Sequence, residues 1–215
     1  MASKLINHSR AYQPLGVPLR QSRVDGRETR ERILTVARHI IVREGTEKLT
    51  LRNLCEQAHI SRSTFFYHFK ERSDLIRALA QDYAAHLERV YNDELAHAKA
   101  QDAYDPYLAA YGAWYEKFSA GSIDNGESPL LPLVMASREN ARFLSPVLSW
   151  YRRHFDQLKN TPNGEEVGLL LSFAYDGLFF HHLFGIKELS PIEEEKLLTF
   201  MQKLAQQPLE FIDKE

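Results

Sequence analysis

The sequence predicts an all-α protein, with a small N-terminal three-helix unit holding a helix-turn-helix and a larger helical body behind it. Three observations carry this. Residues 49–70 place two short helical patterns around a turn of a few residues. Apolar residues elsewhere recur with the 3.6-residue period, while strand signals are nearly absent. Charge is also uneven: residues 1–75 hold 14 Lys and Arg against 8 Asp and Glu, and the remainder holds 13 against 21, so a basic head precedes an acidic body.

Residues 1–25 carry Lys4, Arg10, Arg20 and Arg23 among Pro14, Gly16 and Pro18 without sustained periodicity. They read as a flexible basic arm, either a plain extension or a source of phosphate and minor-groove contacts. From Arg27 a helix is predicted on the stripe Ile33, Leu34, Ala37, Ile40 and Ile41, closed by Glu44-Gly45. Thr50 then caps a helix whose Leu51, Leu54, Cys55 and Ala58 fall at i, i+3, i+4 and i+7. Ser61 caps the next, in which Phe65 and Phe69 anchor inward and Arg62, Ser63, Tyr67 and His68 face out. An outer face of arginine, hydroxyl and aromatic groups suits the DNA major groove. Ile33, Ile41, Leu51, Leu54, Ile60, Phe65 and Phe69 are the expected shared core.

A long helix is expected from Ser73, read as its cap, with Leu75, Ile76, Leu79, Tyr83, His86, Leu87 and Val90 in period. Breaks fall at Asp105-Pro106, at residues 120–129 and at Asn160-Thr-Pro-Asn-Gly164. Further helices are expected near residues 105–119, 129–137, 139–159, 165–185 and 191–206.

Composition narrows the function classes. At 44% hydrophobic the chain has material for a core, yet no run approaches the roughly 20 apolar residues of a membrane span. The N-terminus lacks a secretory apolar core, and Cys55 is the one cysteine, so a cytoplasmic protein without an internal disulfide, and no membrane partner, is expected. Cys55 sits in an apolar stripe and reads as core rather than redox sensor. His181-His182 and Asp176 invite a metal reading, but adjacent helical histidines diverge by about 100° and no His-x3-His or cysteine cluster accompanies them. No glycine-rich phosphate loop or nucleophile elbow is present, and Glu193-Glu194-Glu195 follows Pro191 as an acidic first turn. No enzyme, cofactor or metal is expected.

In this order, residues 27–76 resemble the DNA-binding domain of the TetR family of bacterial transcriptional regulators. The resemblance rests on the bracing helix ending at Glu44-Gly45, then Leu49-Thr50-Leu51-Arg52, Ile60-Ser61-Arg62-Ser63-Thr64-Phe65, His68-Phe69-Lys70 and Ser73-Asp74-Leu75-Ile76. It implies a DNA-binding domain over 26–72 and an effector-binding and dimerisation domain over 73–215. Arg62, Ser63, Thr64, Tyr67 and His68 would lie on the recognition helix, with Arg62 placed for a guanine edge. Thr50, Arg52, Ser61, Lys70 and Arg72 would mostly hold phosphates. Each has a plainer reading as cap, packed ring or solvated charge. The chain departs from the family at His59, where a glycine is usual in the turn, and at Phe66, where many relatives have a tyrosine.

The resemblance further implies a homodimer through the last two helices, a double-stranded, roughly palindromic DNA operator and a small-molecule effector that releases it. The stripe Val167, Leu170, Leu171, Ala174 and Leu178 is read as either the dimer face or monomer core. Among the many body aromatics, Trp114, Phe118 and Tyr151 are the expected pocket residues, while Arg152-Arg153-His154 reads as solvated. The alternatives are a related activator or a regulator answering a protein partner, and a helical enzyme or binding protein without DNA activity.

Overall fold

A computed structural model of the chain describes residues 26–122, 130–137, 140–186 and 189–206, with side chains except those of 118–122, 131, 132, 135 and 183. The described residues are helical throughout: α1 Gly26–Arg43, α2 Leu51–Ala58, α3 Arg62–His68, α4 Arg72–Ala100, α5 Pro106–Ser122, α6 Leu130–Ser137, α7 Ser145–Leu158, α8 Glu165–Leu183 and α9 Pro191–Gln206, with short 3-10 turns at Thr46–Lys48 and Ala141–Leu144. The arm read over residues 1–25 lies outside the described residues.

The head forms as its pattern requires. Ile33, Leu34, Ala37, Ile40 and Ile41 of α1 are buried with Leu54, Cys55, Ala58, Phe65 and Phe69. Leu51 and Ile60 pack half-buried at the margin of this core. Glu44 reinforces the junction, accepting the side-chain amides of Asn53 and Gln57 at 3.2 and 2.8 Å, which hold its carboxyl below the ordinary range. The Arg30 guanidinium lies 5.3 Å over the Phe69 ring and ties α1 to the end of α3.

The 29-residue α4 joins head to body, packing on α1 at one end and most extensively on α5 along the other. Its start corrects the sequence reading. Ser73 is not the cap: Glu71 holds that position without a side-chain capping bond, and the Ser73 hydroxyl donates to the Glu71 carboxylate instead. The Arg72 guanidinium, hydrogen-bonded at 3.2 Å to the carbonyls of Thr46 and Leu49, draws the first turn forward onto the head. His86 leaves the apolar stripe and is exposed. At the far end Asp102 turns left-handed at φ 53° and the Ala103 N–H closes on Ala98 O at 3.1 Å, which ends the helix.

The helix expected over 139–159 is split. Asn140 Oδ1 accepts the Arg142 N–H at 3.0 Å to start a 3-10 turn, and Pro146 then fits the first turn of α7, where a missing N–H costs nothing. Asp105, fully buried, caps α5 through the Leu108 N–H at 3.1 Å and accepts Asn163 at 3.4 Å from the α7–α8 turn. Asn163 reaches on to the carbonyls of Leu204 and Ala205 in α9. Helix α9 begins with a capping box, Ser190 and Glu193 bonding each other's backbone N–H.

Helix α8 shows two apolar faces. Val167, Leu171 and Leu178 are buried inside the chain and Ala174 packs on the same core, so most of the stripe read from the sequence faces inward. Of that stripe only Leu170 points out, and it joins Phe173, Gly177, Phe180 and Phe184 at spacings of three and four residues to form a second, exposed face. No described helix is long and apolar enough to cross a membrane.

Candidate nucleic-acid interface and ligand site

The α2–α3 corner is built by two caps and one left-handed residue. Thr50 Oγ1 accepts the Asn53 N–H at 3.2 Å, and Ser61 Oγ accepts the Thr64 N–H at 3.1 Å. Between them His59 adopts φ 51°, ψ 49°, and the Ile60 N–H returns to Cys55 O at 3.1 Å. That is the closure a glycine usually provides, accepted here by a histidine.

This corner directs α3 outward. Phe65 is buried, while Arg62, Ser63, Phe66 and Tyr67 share the exposed side, Tyr67 at 82% exposure. Arg62 has no ion-pair or hydrogen-bond partner among the described residues, so its five donors face solvent. His68 packs half-buried, edge-on to Tyr67 at 4.9 Å. Thr64 is half-buried with its hydroxyl 2.8 Å from Ser61 Oγ. Around the rim, Thr50, Arg52 and Lys70 are exposed, Arg52 bridging Glu56 at 2.8 Å. Arg72 differs from them: its guanidinium braces the head from within through Thr46 and Leu49. Phe66, read from the sequence only as a departure, supplies an apolar group on the outward face.

In the body, rings from four helices form one contiguous cluster. Tyr91 of α4 lies 6.5 Å from Tyr111 of α5, which lies 5.2 Å from Trp114; Trp114 lies 5.1 Å from Trp150 of α7, and Trp150 stacks on His154 at 4.0 Å. Of the expected pocket residues, Trp114 is buried within the cluster and Tyr151 lies half-buried at its edge, 5.0 Å from Trp150. The Phe118 side chain lies outside the described residues. From Tyr151 the rings continue through Phe155 at 6.2 Å to Phe173 of α8 at 5.5 Å.

Asp176 of α8, which sequence reading weighed only as a metal ligand, belongs to this cluster. Its Oδ1 accepts the Tyr111 hydroxyl at 3.0 Å. Burial lifts its carboxyl to about 6, against the opposing pull of that hydrogen bond. Burial also raises the Tyr111 and Tyr151 hydroxyls far above their ordinary range and pushes His154 down. The His154 Nδ1–H donates to Trp150 O at 3.0 Å, and its Nε2 and the Trp150 Nε1–H are buried without hydrogen-bond partners. Nothing periodic marks Asp176 in the sequence; only the fold brings it to the rings. His182 pairs with Glu194 at 3.0 Å, and no group of three potential metal ligands occurs among the described residues.

Two family models match the chain, "Bacterial regulatory proteins, tetR family" over residues 33–79 and "Tetracyclin repressor-like, C-terminal domain" over residues 112–206. An HTH-type transcriptional regulator of Staphylococcus aureus (strain USA300) is 25% identical over 138 residues, covering 62% of this chain and 67% of that protein. The HTH-type transcriptional regulator TtgR of Pseudomonas putida is 28% identical over 89 residues, covering 41% and 40%. Among solved structures, a TetR-family member from Streptomyces coelicolor superposes with TM-score 0.64 at 19% identity, covering 83% of this chain and 98% of that one. The multidrug binding protein EbrR complexed with malachite green superposes with TM-score 0.61 at 18% identity, covering 82% and 97%. With a matching head, a matching C-terminal half and the α2–α3 corner between exposed caps, the chain belongs to the TetR family of bacterial transcriptional regulators, proteins that regulate rather than catalyse.

Proposed function

We propose that the chain is a dimeric, sequence-specific repressor that leaves a palindromic operator when a small molecule binds its body. The observation that carries the DNA-binding part is the outward face of α3, with an unpartnered Arg62 beside Ser63, Phe66 and Tyr67. On this reading Arg62 donates to a guanine O6/N7 pair, and Phe66 and Tyr67 meet thymine methyls and the sugar-phosphate wall. Thr50, Arg52, Ser61 and Lys70 surround this face as phosphate contacts, and Arg72 keeps the head in shape. On this reading residues 26–72 bind DNA and residues 73–215 bind effector and partner.

The dimer reading rests on the second face of α8. Leu170, Phe173, Phe180 and Phe184 are between 47% and 64% exposed, a contiguous apolar stripe that water disfavours, and Ile192 and Phe200 of α9 are exposed as well. A second copy pairing the same helices would cover it isologously. The effector reading draws on the ring cluster and on EbrR, whose structures hold malachite green and ethidium. Release requires that the ligand bind the non-DNA conformer more tightly than the DNA-bound one.

A mobility-shift titration on the DNA upstream of the chain's own gene tests this. Salt-sensitive, saturable binding of two protomers per site is expected. Arg62→Ala should weaken specific binding roughly 10- to 100-fold with little effect on non-specific binding. Equal loss on both would make Arg62 a phosphate contact, and no salt-sensitive binding to any such fragment would overturn the reading.

A further inference from the structure

The outward side of α3 carries two rows of side chains. Arg62 and Phe66 stand one turn apart on the first, and Ser63 and Tyr67 on the second. Both rings are exposed, yet they differ in what they offer. Tyr67 ends in a hydroxyl that can meet water or a phosphate. Phe66 ends in carbon, so on a face built for DNA it gains nothing from hydrogen bonding, and 51% of it still stands in water. The ring is also held in place: it lies edge-on to Phe65 at 5.4 Å and 79°, and Phe65 is buried. The core of the head therefore sets its orientation before any DNA arrives. The major groove presents one projecting apolar group to such a ring, the C5-methyl of a pyrimidine, while its other distinguishing marks are donors and acceptors. We infer that Phe66 is a specificity-determining residue that reads this methyl. Helix α3 then recognises a guanine through Arg62 together with a C5-methylated pyrimidine, thymine or 5-methylcytosine, one or two base pairs away. This deepens the DNA-binding reading and rests on it.

Spacing and chemistry agree with this assignment. Four residues of helix rise about 6 Å, against roughly 3.4 Å per base pair, so side chains one turn apart on a row reach base pairs one or two steps apart. Arg62 has no partner among the described residues, which leaves its guanidinium to guanine O6 and N7. Tyr67, on the other row and edge-on to the half-buried His68 at 4.9 Å, is left for the sugar-phosphate wall, where a hydroxyl is of use. The two methyl-bearing pyrimidines differ at C4, where thymine has an oxygen and 5-methylcytosine an amino group. A phenyl ring does not distinguish these by hydrogen bonding. Phe66 therefore makes the head responsive to a chemical mark as well as to a sequence: a cytosine methylated at C5 in this position takes the place of thymine. Occupancy of such an operator rises when that cytosine is methylated.

The experiment uses the full chain and synthetic copies of the bound fragment upstream of its own gene. Thymines are replaced by uracil one position at a time, alike in both half-sites, which removes the methyl and nothing else. Guanines are replaced by 7-deazaguanine, which removes N7 and locates the Arg62 contact as the position to which Arg62→Ala is indifferent. At a thymine within two base pairs of that guanine, uracil should weaken binding about fourfold per half-site, as one methyl group taken out of contact does, and so about ten- to twentyfold over the operator. With cytosine in that position, methylation at C5 should tighten binding about fourfold per half-site. Phe66→Ala should bind the thymine and uracil copies equally, and likewise the cytosine and 5-methylcytosine copies. Phe66→Leu should keep part of each difference, and Tyr67→Ala all of it. A side chain that only supported the helix would change affinity for every copy alike. Equal binding of thymine and uracil copies at every such position, a difference that survives Phe66→Ala, or 5-methylcytosine bound no tighter than cytosine would each overturn the proposal. Its failure is distinct from that of the DNA-binding reading. Salt-sensitive binding that depends on the Arg62 guanine but is indifferent to the methyl keeps that reading and removes Phe66 from base recognition, whereas no salt-sensitive binding removes both.

Discussion

His59 occupies a left-handed conformation that costs a residue with a Cβ about 1 kcal/mol relative to glycine. His59→Gly should therefore stabilise the head by about 0.5–1 kcal/mol without changing operator affinity, read as a rise in thermal midpoint and an unchanged mobility shift. Asp176 is the second residue whose local cost is legible. Its folded-state carboxyl is raised from 3.8 to about 6, so the folded chain holds its proton more tightly than the unfolded chain. The resulting stability is fully present below pH 3.8 and is lost as pH rises through about 6. Asp176→Asn, which cannot ionise, should be more stable than the native chain at pH 7.5, by on the order of 2 kcal/mol. That gap should narrow clearly at pH 4.5, as urea unfolding at the two pH values would show.

At the scale of elements, the knot formed by Asp105 joins three of them. Asp105→Ala removes the α5 cap and the two bonds that Asn163 donates to Asp105 from the α7–α8 turn, an expected loss of about 2–3 kcal/mol in urea unfolding. Gly168 fixes another junction: a Cβ there would meet Leu158 O at 2.1 Å, so Gly168→Ala must push α7 and α8 apart. These two sites also show what a sequence can and cannot disclose. The head helices α1 to α3, the caps Thr50 and Ser61 and the inward face of α3 were legible because each depends on residues within one or two turns. The start of α4 was misread because Arg72 answers to carbonyls more than twenty residues earlier in the chain. The α8 stripe was ambiguous because α8 is apolar on two sides, and burial alone distinguishes the face that meets its own core from the face that does not. Asp176 drew attention only beside two histidines; its connection to Tyr111 spans 65 residues and leaves no local pattern.

For the whole molecule, affinity for a palindrome depends on two heads held at a fixed separation, about 34–36 Å between successive major grooves. Phe180→Glu combined with Phe184→Glu places two like charges in the exposed stripe of α8. Sedimentation should then show a monomer, and operator affinity should fall at least 100-fold while each head keeps its weak non-specific binding. A dimer surviving both changes would move the partner interface away from α8.

Helix α4 runs without interruption from the head into the body, and 29 residues span about 43 Å. A rod of that length is a lever. Pivoting it by about 5° beside the rings of the body would carry its head end through about 4 Å, slightly more than the roughly 3.4 Å that separates neighbouring base pairs. A side-chain adjustment too small to disturb the core at one end would thus be enough, at the other, to put a reading head out of step with its sequence by a full letter.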